Sequence, residues 1–262
     1  MILHAIGAGL LIVLVSLSGA VVLAVPLRML QRLIPLLVAL AVGVLLGSAL
    51  VHLVPEAIEL IGSPSQVGLY TALGIALFFA LEKALGSQHQ HTLPDLETLG
   101  QAQQKMHPIA RMNLVGDGVH KFVDGILIAG AFLIDPAVGW ITTIAVAAHE
   151  VPKEIGDVAV LIRGGMKPLR AVGLNIVVAL AILPGIALTV AAGSFAAQAL
   201  HLLLPMAAGG FIYIAAADFV PTLHAESEHG AGLALAQVGV VMVGISMMYA
   251  AAMLESVLPV AH

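Results

Sequence analysis

The sequence predicts an all-α membrane protein with eight transmembrane helices in one bundle. Of the 262 residues, 60% are hydrophobic and 10% are charged, whereas soluble domains carry about 25% charged residues. The mean hydropathy is +1.08. Apolar runs of about 20 residues, long enough to cross a bilayer, recur along the whole chain. We therefore expect residues 1–262 to form a single polytopic transmembrane domain that lies in a lipid bilayer.

Eight candidate spans follow one another along the chain. Their predicted bounds are 4–25, 33–61, 66–86, 112–134, 137–162, 168–193, 198–222 and 231–258. The one long interruption, residues 87–110, is polar and is expected to be a flexible cytoplasmic loop. It carries His89, His91 and His107. A short His-rich tract binds metal loosely, so these three are candidates for metal capture, although a solvated loop with incidental histidines explains them equally well.

The basic residues predict the orientation of the spans, because cytoplasmic loops of membrane proteins are enriched in Lys and Arg. Eight basic residues lie in or beside the loops between spans one and two, three and four, and five and six. They are Arg28, Arg32, Lys83, Lys105, Arg111, Arg163, Lys167 and Arg170. The loops at 62–65, 135–136 and 194–197 carry none. Both termini are therefore expected on the outer side.

Two polar runs interrupt the apolar character of spans four and five. They read HKFVDG at 120–125 and HEVPKEIGD at 149–157. An ionisable residue inside a membrane costs roughly 2.5–3.5 kcal/mol on insertion scales, so it indicates function by default. The ionisable members are His120, Lys121, Asp124, His149, Glu150, Lys153, Glu154 and Asp157. Together they predict a cation site within the membrane.

Helical spacing groups these side chains on shared faces. His120 and Asp124 are four residues apart and share a face, as do His149 and Lys153. Glu150 and Glu154 share an adjacent face. Because the chain has no cysteine, a metal must be held by other groups such as imidazole and carboxylate. Imidazole suits zinc and other first-row metals, and carboxylates widen the choice toward iron, manganese and cadmium.

Pro152 is expected to kink the fifth span. It has no N–H, so the carbonyl of Ala148 loses its helical partner. Within a membrane that carbonyl must find another partner or line a cavity.

A purely structural interpretation assigns the charges to salt bridges. Lys121 and Lys153 neutralise nearby acids in this interpretation, with Asp117–Lys121 and Lys153–Asp157 both at four-residue spacing. Pairing alone does not require two histidines beside so many acids. We therefore expect both salt bridges and a cation site, with some acids paired to lysine and the rest free to bind a cation.

Other polar positions within the spans carry weaker signals. His52, in the run HLVPEA, suits either a metal ligand or a hydrogen-bonding group at a helix end. Asp218, in YIAAADFVP, is flanked by apolar residues, which favours a functional or helix-fixing role. Ser48, Asn113 and Asn175 are expected to form interhelical hydrogen bonds.

These motifs together resemble the ZIP (Zrt/Irt-like protein) family of divalent metal transporters. The resemblance is greatest to the subfamily with HNxxDG in span four and HExPHExGD in span five. The run HLVPEA in span two, DFVP in span seven and the His-bearing loop extend it along the chain. It implies a homodimer that moves zinc into the cytoplasm by an alternating-access or elevator-like rearrangement. The implied transport site is His120, Asp124 and His149.

Two departures from the subfamily pattern concern lysine. Lys153 replaces the second His of span five, and Lys121 replaces the Asn of span four. A charged ammonium has no lone pair and cannot ligate a metal. Members with a binuclear centre also place a Glu before the Pro of span six, where this chain has Leu183 and Pro184. We therefore expect a mononuclear site, with lysine charge in the second metal position.

Glu150 is the better candidate to replace the lost ligand, because Glu154 is one residue out of phase with Lys153. The predicted metal ligands are His120, Asp124, His149 and Glu150. Further candidates for a metal or pathway role are Glu154, His52, Asp218 and Asp117.

Of three other functions, one is not expected and two remain open. An intramembrane metallohydrolase needs a second His four residues after His149, where Lys153 stands, so no enzyme is expected. A non-transporting homologue, with lysines closing the site, would act as a sensor or partner subunit. Proton-coupled transport of an organic substrate predicts no tight metal site. No nucleic-acid partner is expected, and a prokaryotic inner membrane is the expected location.

Overall fold

The computed structural model of the chain describes residues 1–84, 106–227 and 231–257, and every regular element within them is a helix. The helices are α1 (Ile2–Val15), α2 (Leu27–Gly47), α3 (Val54–Ile61), α4 (Pro64–Ala84), α5 (Pro108–Ile134), α6 (Pro136–Arg163), α7 (Pro168–Ala179), α8 (Ile182–Tyr213), α9 (Val220–Ser227) and α10 (Ala231–Val257). The predicted all-α class is confirmed for these residues.

Proline marks the start of α4, α5, α6 and α7. At the first helical position its missing N–H would have no partner in any case, and its φ angle suits the helix. A side chain caps two of these helices. Nδ1 of His107 accepts a hydrogen bond from the amide of Ile109 (3.3 Å), and Oδ1 of Asp135 accepts one from the amide of Ala137 (2.7 Å).

The polar loop predicted at 87–110 ends three residues too late, because α5 begins at Pro108. His107 lies at this boundary and caps the helix. His89 and His91, the other two histidines predicted to capture metal, lie outside the described residues.

Arg28 and Arg32 were predicted to lie between two spans, and this is wrong. They lie in the first turns of α2. Arg111, placed in the loop by the sequence, likewise belongs to α5, where its Nε donates to the carbonyl of Met106 (3.2 Å). A long arginine stem carries the charge beyond the helix end, so an arginine does not mark where a helix stops.

Two short π-helical turns occur inside the long helical segments. Ser48–Leu53 joins α2 to α3, and Ile214–Phe219 joins α8 to α9. A proline follows each turn, and proline removes one backbone donor. The backbone N–H of the residue before each proline then donates to the carbonyl five residues earlier, from Val54 to Ala49 and from Val220 to Ala215. Single π turns are rare and occur frequently at functional sites, and His52 and Asp218 lie in these two.

The predicted sixth and seventh spans differ from the helices that form. A turn at Leu180 and Ala181 separates α7 from α8. Pro184, four residues after Leu180, has no N–H, so the carbonyl of Leu180 lacks its usual helical donor at this turn. The predicted loop at 194–197 is replaced by a break at Ala192, whose φ of −139° and ψ of 36° are non-helical.

Six helical segments of the described residues are long and apolar enough to cross a membrane. They are Ile2–Ala24, Arg28–Ile61, Pro64–Ala84, Pro168–Gly193, Phe195–His224 and Ala231–Met253. The helices α5 and α6 are also long enough, with 27 and 28 residues, but they carry the polar runs. The charged residues that keep α5 and α6 out of this apolar set are the same residues that form the candidate site.

Glycines permit very close crossings between particular helices. At three glycines, an added Cβ atom would overlap a backbone carbonyl oxygen of the facing helix. The overlaps are Gly125 with Ile182 (α5 on α8), Gly43 with Val241 (α2 on α10), and Gly74 with Met206 (α4 on α8 after Ala192). Small residues at helix interfaces are typical of membrane bundles, because they bring two backbones into direct contact.

Candidate metal centre

The polar faces of α5 and α6 meet near the middle of both helices. His120 and Asp124 come from α5, and His149 and Glu150 come from α6. All four side chains are 0–2% exposed. The four-residue spacing explains why His120 and Asp124 share a face, and the helix crossing brings the α6 pair opposite them.

One atom from each of these four residues converges on a common centre, and all four atoms lie within 4.8 Å of one another. Nε2 of His120 lies 3.4 Å from Nε2 of His149 and 3.4 Å from Oε1 of Glu150. It lies 3.5 Å from Oδ2 of Asp124. Nε2 of His149 lies 3.6 Å from Oε1 of Glu150 and 4.0 Å from Oδ2 of Asp124.

Four of these five separations, at 3.4–3.6 Å, lie close to those in the ligand shell of a small tetrahedral cation, and the fifth is longer, at 4.0 Å. With bonds of about 2.0–2.1 Å, a tetrahedral zinc ion holds its ligand atoms about 3.3–3.4 Å apart. Two nitrogens and two carboxylate oxygens form a donor set that suits zinc and its first-row neighbours.

Two of the four converging atoms are buried acceptors without a hydrogen bond. Among the described residues, Oδ2 of Asp124 and Oε1 of Glu150 have no hydrogen-bond partner. Buried polar atoms are nearly always hydrogen-bonded, and leaving one unpaired costs about 1–3 kcal/mol. Two such oxygens aimed at the same point fit a cation between them.

Lys121 holds the outer side of the Glu150 carboxylate. Its ammonium donates to Oε2 of Glu150, to Oε1 of Glu154 and to Oγ of Ser16 (3.2 Å). The side chain is completely buried. Since Oε2 is bound to Lys121, Oε1 is left to face the two imidazoles, so Glu150 bridges the ammonium and the centre.

Lys153 lies on the other side of the same carboxylate. Its Nζ contacts Oδ1 of Asp117, lies 3.3 Å from Oδ2 of Asp157 and lies 3.8 Å from Oε1 of Glu150. The predicted Lys153–Asp157 pair is therefore present. The predicted Asp117–Lys121 pair is replaced, because α6 crosses α5 and supplies nearer partners to both residues.

Glu154 is turned away from the four converging atoms. Its carboxylate accepts from Lys121 and Ser16 through Oε1, and from Nδ2 of Asn175 through Oε2. These partners connect α5, the 3₁₀ segment Ser16–Ala24 that follows α1, and α7. Asn175 forms the interhelical hydrogen bond expected of it, whereas Ser16 drew no attention in the sequence.

His52 lies beside the centre from a different helix. Its ring centroid is 5.1 Å from that of His149, and its Nε2 is 3.8 Å from Oε2 of Glu56. Side-chain exposure rises from 2% at His149 to 9% at His52 and 31% at Glu56. These three side chains lead from the buried centre outward.

Phe211 of α8 covers another side of the centre, with its ring centroid 4.9 Å from that of His120. The sequence did not single it out, because a phenylalanine in an apolar helix is most often part of the core. Asp218 lies in the second π turn, is partly buried, and is not one of the four converging residues.

A model of the ZIP zinc transporter family matches residues 1–108 and 86–252. This chain belongs to the ZIP family. Among its ZIP relatives, zinc transporter YKE4 of Saccharomyces cerevisiae is 32% identical over 211 residues, covering 72% of this chain and 60% of the yeast protein. Zinc transporter ZIP13 of Homo sapiens is 30% identical over 237 residues, covering 73% and 64% of the two chains. This chain thus spans less than two thirds of either relative.

A third ZIP relative, zinc transporter zipt-7.1 of Caenorhabditis briggsae, is 26% identical over 280 residues, covering 84% of this chain and 71% of that protein. ZIP membership confirms the family inferred from the motifs, and ZIP proteins are membrane transporters and not enzymes. The subfamily stays a prediction. So does the prokaryotic location, because these three relatives are eukaryotic.

Proposed function

We propose that this ZIP protein moves a divalent metal ion, zinc first, across the membrane toward the cytoplasm. The metal is held by one mononuclear site of His120, Asp124, His149 and Glu150. The observation that carries the proposal is the convergence, within 4.8 Å of one another, of two imidazole nitrogens and two buried carboxylate oxygens that accept no hydrogen bond from the described residues. Cadmium, iron and manganese are the alternative substrates that the donor set allows.

In this proposal α5 and α6 also cross the bilayer, which makes eight spans with both termini outside. The polar runs are then intramembrane groups facing the bundle interior, where such residues mark ion pathways. His120 and His149 lie near the middle of their helices, and substrate sites of transporters lie near the bilayer midplane.

The metal reaches the site from the outer side along Glu56 and His52. The rise in exposure along this route supports the proposal, and each group offers an oxygen or nitrogen to an ion that is losing water. On the opposite side, Asp117 and Asp157 lie between the site and the end of α6 and are the candidates for release. Asp218 and the loop histidines stay predictions for secondary contacts.

The glycine crossings support a movement that carries the metal site between the two sides of the membrane. Gly125 brings α5 into backbone contact with the part of α8 before Ala192, and these form the first group. Gly43 brings α2 into contact with α10, and Gly74 brings α4 into contact with the part of α8 after Ala192; these form the second group. We propose that these two groups move relative to each other, with the metal site carried by the first. The two groups meet at the ring contacts of His149 with His52 and of His120 with Phe211, and at Gly156 of α6, which packs on Ala41 of α2.

Lysine occupies the second metal position in this proposal. The buried acids of the two polar faces are Asp117, Asp124, Glu150, Glu154 and Asp157, and the two buried lysines offset part of their charge. The protein is further proposed to act as a homodimer in the lipid bilayer, an expectation that comes from the family.

Radiolabelled zinc uptake into proteoliposomes tests the function. We expect uptake by the unaltered protein and its loss in His120→Ala. The matched control is His201→Ala, an exposed histidine whose Nδ1 lies 3.1 Å from the carbonyl oxygen of Ala197 within its own helix. Uptake that survives in His120→Ala would contradict the proposed site. Equal loss of uptake in His120→Ala and His201→Ala would show that the loss does not depend on the proposed site.

One alternative has a specific observation in its favour. The 3.8 Å separation between Lys153 and Oε1 of Glu150 also fits a homologue in which lysine closes the site for good. Such a protein binds metal as a sensor or partner subunit without transporting it. Absence of zinc, cadmium, iron and manganese uptake in the unaltered protein, with uptake appearing in Lys153→His, would favour this alternative.

A further inference from the structure

One carboxylate oxygen of this centre faces both the two imidazoles and a lysine ammonium. Oε1 of Glu150 faces the two imidazoles at 3.4 and 3.6 Å, and it also lies 3.8 Å from the ammonium of Lys153. Among the described residues this oxygen has no hydrogen bond. A metal ion bound to this oxygen and the lysine ammonium would repel each other, because both are positively charged.

We propose that Lys153 is a tethered counter-cation, which neutralises Glu150 when the carrier is empty and withdraws to Asp117 and Asp157 when the metal binds. This inference rests on the proposed transport function. It adds that the carrier resets without a second ion, so that net uptake requires no exchange partner.

The physical reason lies in the return step of the transport cycle. A carrier that releases its metal must move its empty site back across the low-dielectric interior. Lys121 binds only Oε2 of Glu150, so Asp124 and Oε1 of Glu150 then face the empty site without a cation, and an unpaired buried charge is strongly unfavourable. An ammonium on a flexible four-carbon stem is a compact point charge. It supplies the missing charge without leaving the protein.

Carboxylates placed on both sides of Lys153 support this exchange. Asp117 and Asp157 already hold its ammonium on the side away from the imidazoles. Only a short displacement separates this position from contact with Glu150, since the two atoms are 3.8 Å apart. The lysine thus has a resting partner in either state of the site.

Lys121 does not share this role. Its ammonium is fixed by Glu150, Glu154 and Ser16 together, and it meets Glu150 through Oε2, the oxygen turned away from the imidazoles. Lys121 therefore positions the ligand, whereas Lys153 competes with the substrate. The two lysines should give different transport defects.

Comparing net uptake with exchange in the same proteoliposomes tests the inference. Net uptake is measured as radiolabelled zinc entering empty vesicles, and exchange as its entry into vesicles preloaded with unlabelled zinc. For Lys153→Gln we expect net uptake to fall by at least about tenfold, while exchange, which never requires an empty carrier to return, falls by less than about twofold. Lys153→Arg should restore part of the net uptake, because it keeps the charge. Lys83→Gln, at an exposed lysine outside the centre, is the matched control.

A second variant and a folding measurement guard against misfolding of Lys153→Gln. Lys153→Met removes the same charge with a side chain of similar length, and thermal unfolding in detergent identifies which variants are folded. We expect the same split between net uptake and exchange in Lys153→Met. Equal loss of both activities, or retention of both, in a folded variant would overturn the inference and leave the transport function standing. Absence of both in the unaltered protein would instead overturn the proposed function.

Discussion

The carboxylate of Glu150 is shared between Lys121 and the candidate metal centre. Oε2 accepts from the buried ammonium, while Oε1 lies 3.4 Å from Nε2 of His120. A carboxylate between two metal ions has the same arrangement, with one oxygen toward each cation. Here an ammonium is bound to one oxygen and the candidate centre faces the other, and this relationship determines what each substitution in the centre should do.

Removing the charge of Lys121 should damage both the fold and the site. In Lys121→Met, Glu150 and Glu154 lose a buried partner, and breaking a buried ion pair costs about 3–5 kcal/mol. We expect a lower thermal unfolding temperature in detergent, together with weaker zinc binding, because Glu150 is then free to turn. Lys83→Met, at an exposed position, should change stability by less than about 0.5 kcal/mol. Unchanged stability in Lys121→Met would contradict the ion pairs described here.

The two glutamates of α6 should separate into a ligand and a structural residue. In Glu150→Gln we expect zinc affinity to fall at least about tenfold. Removing a residue that only supports a metal ligand already costs about 10–100-fold, and a ligand should matter at least as much. Glu154→Gln should leave zinc affinity within a few-fold, because its carboxylate faces Ser16, Lys121 and Asn175. Equilibrium zinc binding to the purified variants measures both. Equal losses would contradict the separation.

The sequence identifies the four converging residues because their spacing is local. His120 and Asp124 share a helix face by geometry alone, and the HE pair of α6 follows from the motif. Four-residue spacing predicts the Lys153–Asp157 pair, whereas the partners that the lysines find on other helices depend on how the helices cross, which no spacing within one helix reveals. The hydrogen bond between Ser16 and Glu154 joins residues 138 positions apart. Likewise, a proline predicts a disturbance of its helix, but Pro152 leaves α6 continuous whereas Pro55 follows a π turn.

Two glycines of α5 offer a matched test of the helix crossing. A Cβ at Gly125 overlaps the backbone of Ile182, whereas one at Gly130 meets no atom within 4 Å. Gly125→Ala should therefore destabilise the protein by about 1–3 kcal/mol through overpacking. Gly130→Ala should be neutral or stabilising by up to about 1 kcal/mol, because alanine favours the helix. Thermal unfolding of the two variants in the same detergent measures the difference. A similar effect at both positions would show that α5 and α8 do not lie in direct backbone contact.

His52 should affect the rate of transport more than the affinity of the site. It contacts His149 but is not one of the four converging residues. We expect His52→Ala to lower the initial rate of zinc uptake by about tenfold, with equilibrium zinc binding nearly unchanged. Glu56→Gln should act in the same direction and more weakly, because Glu56 is more exposed. A loss of zinc binding equal to that of His149→Ala would instead make His52 a ligand.

Zinc itself should stabilise the fold through the same four residues. A ligand that binds only the folded state adds about 2.7 kcal/mol at a concentration 100 times its dissociation constant. Zinc should therefore raise the unfolding temperature of the purified protein, and a chelator should reverse the rise. The rise should vanish in His149→Ala, which removes one of the four converging atoms, and persist in His201→Ala. A zinc-dependent rise that is equal in all three proteins would place the stabilising ion elsewhere, on other histidines or carboxylates of the chain. It would then give no support to a metal site between α5 and α6.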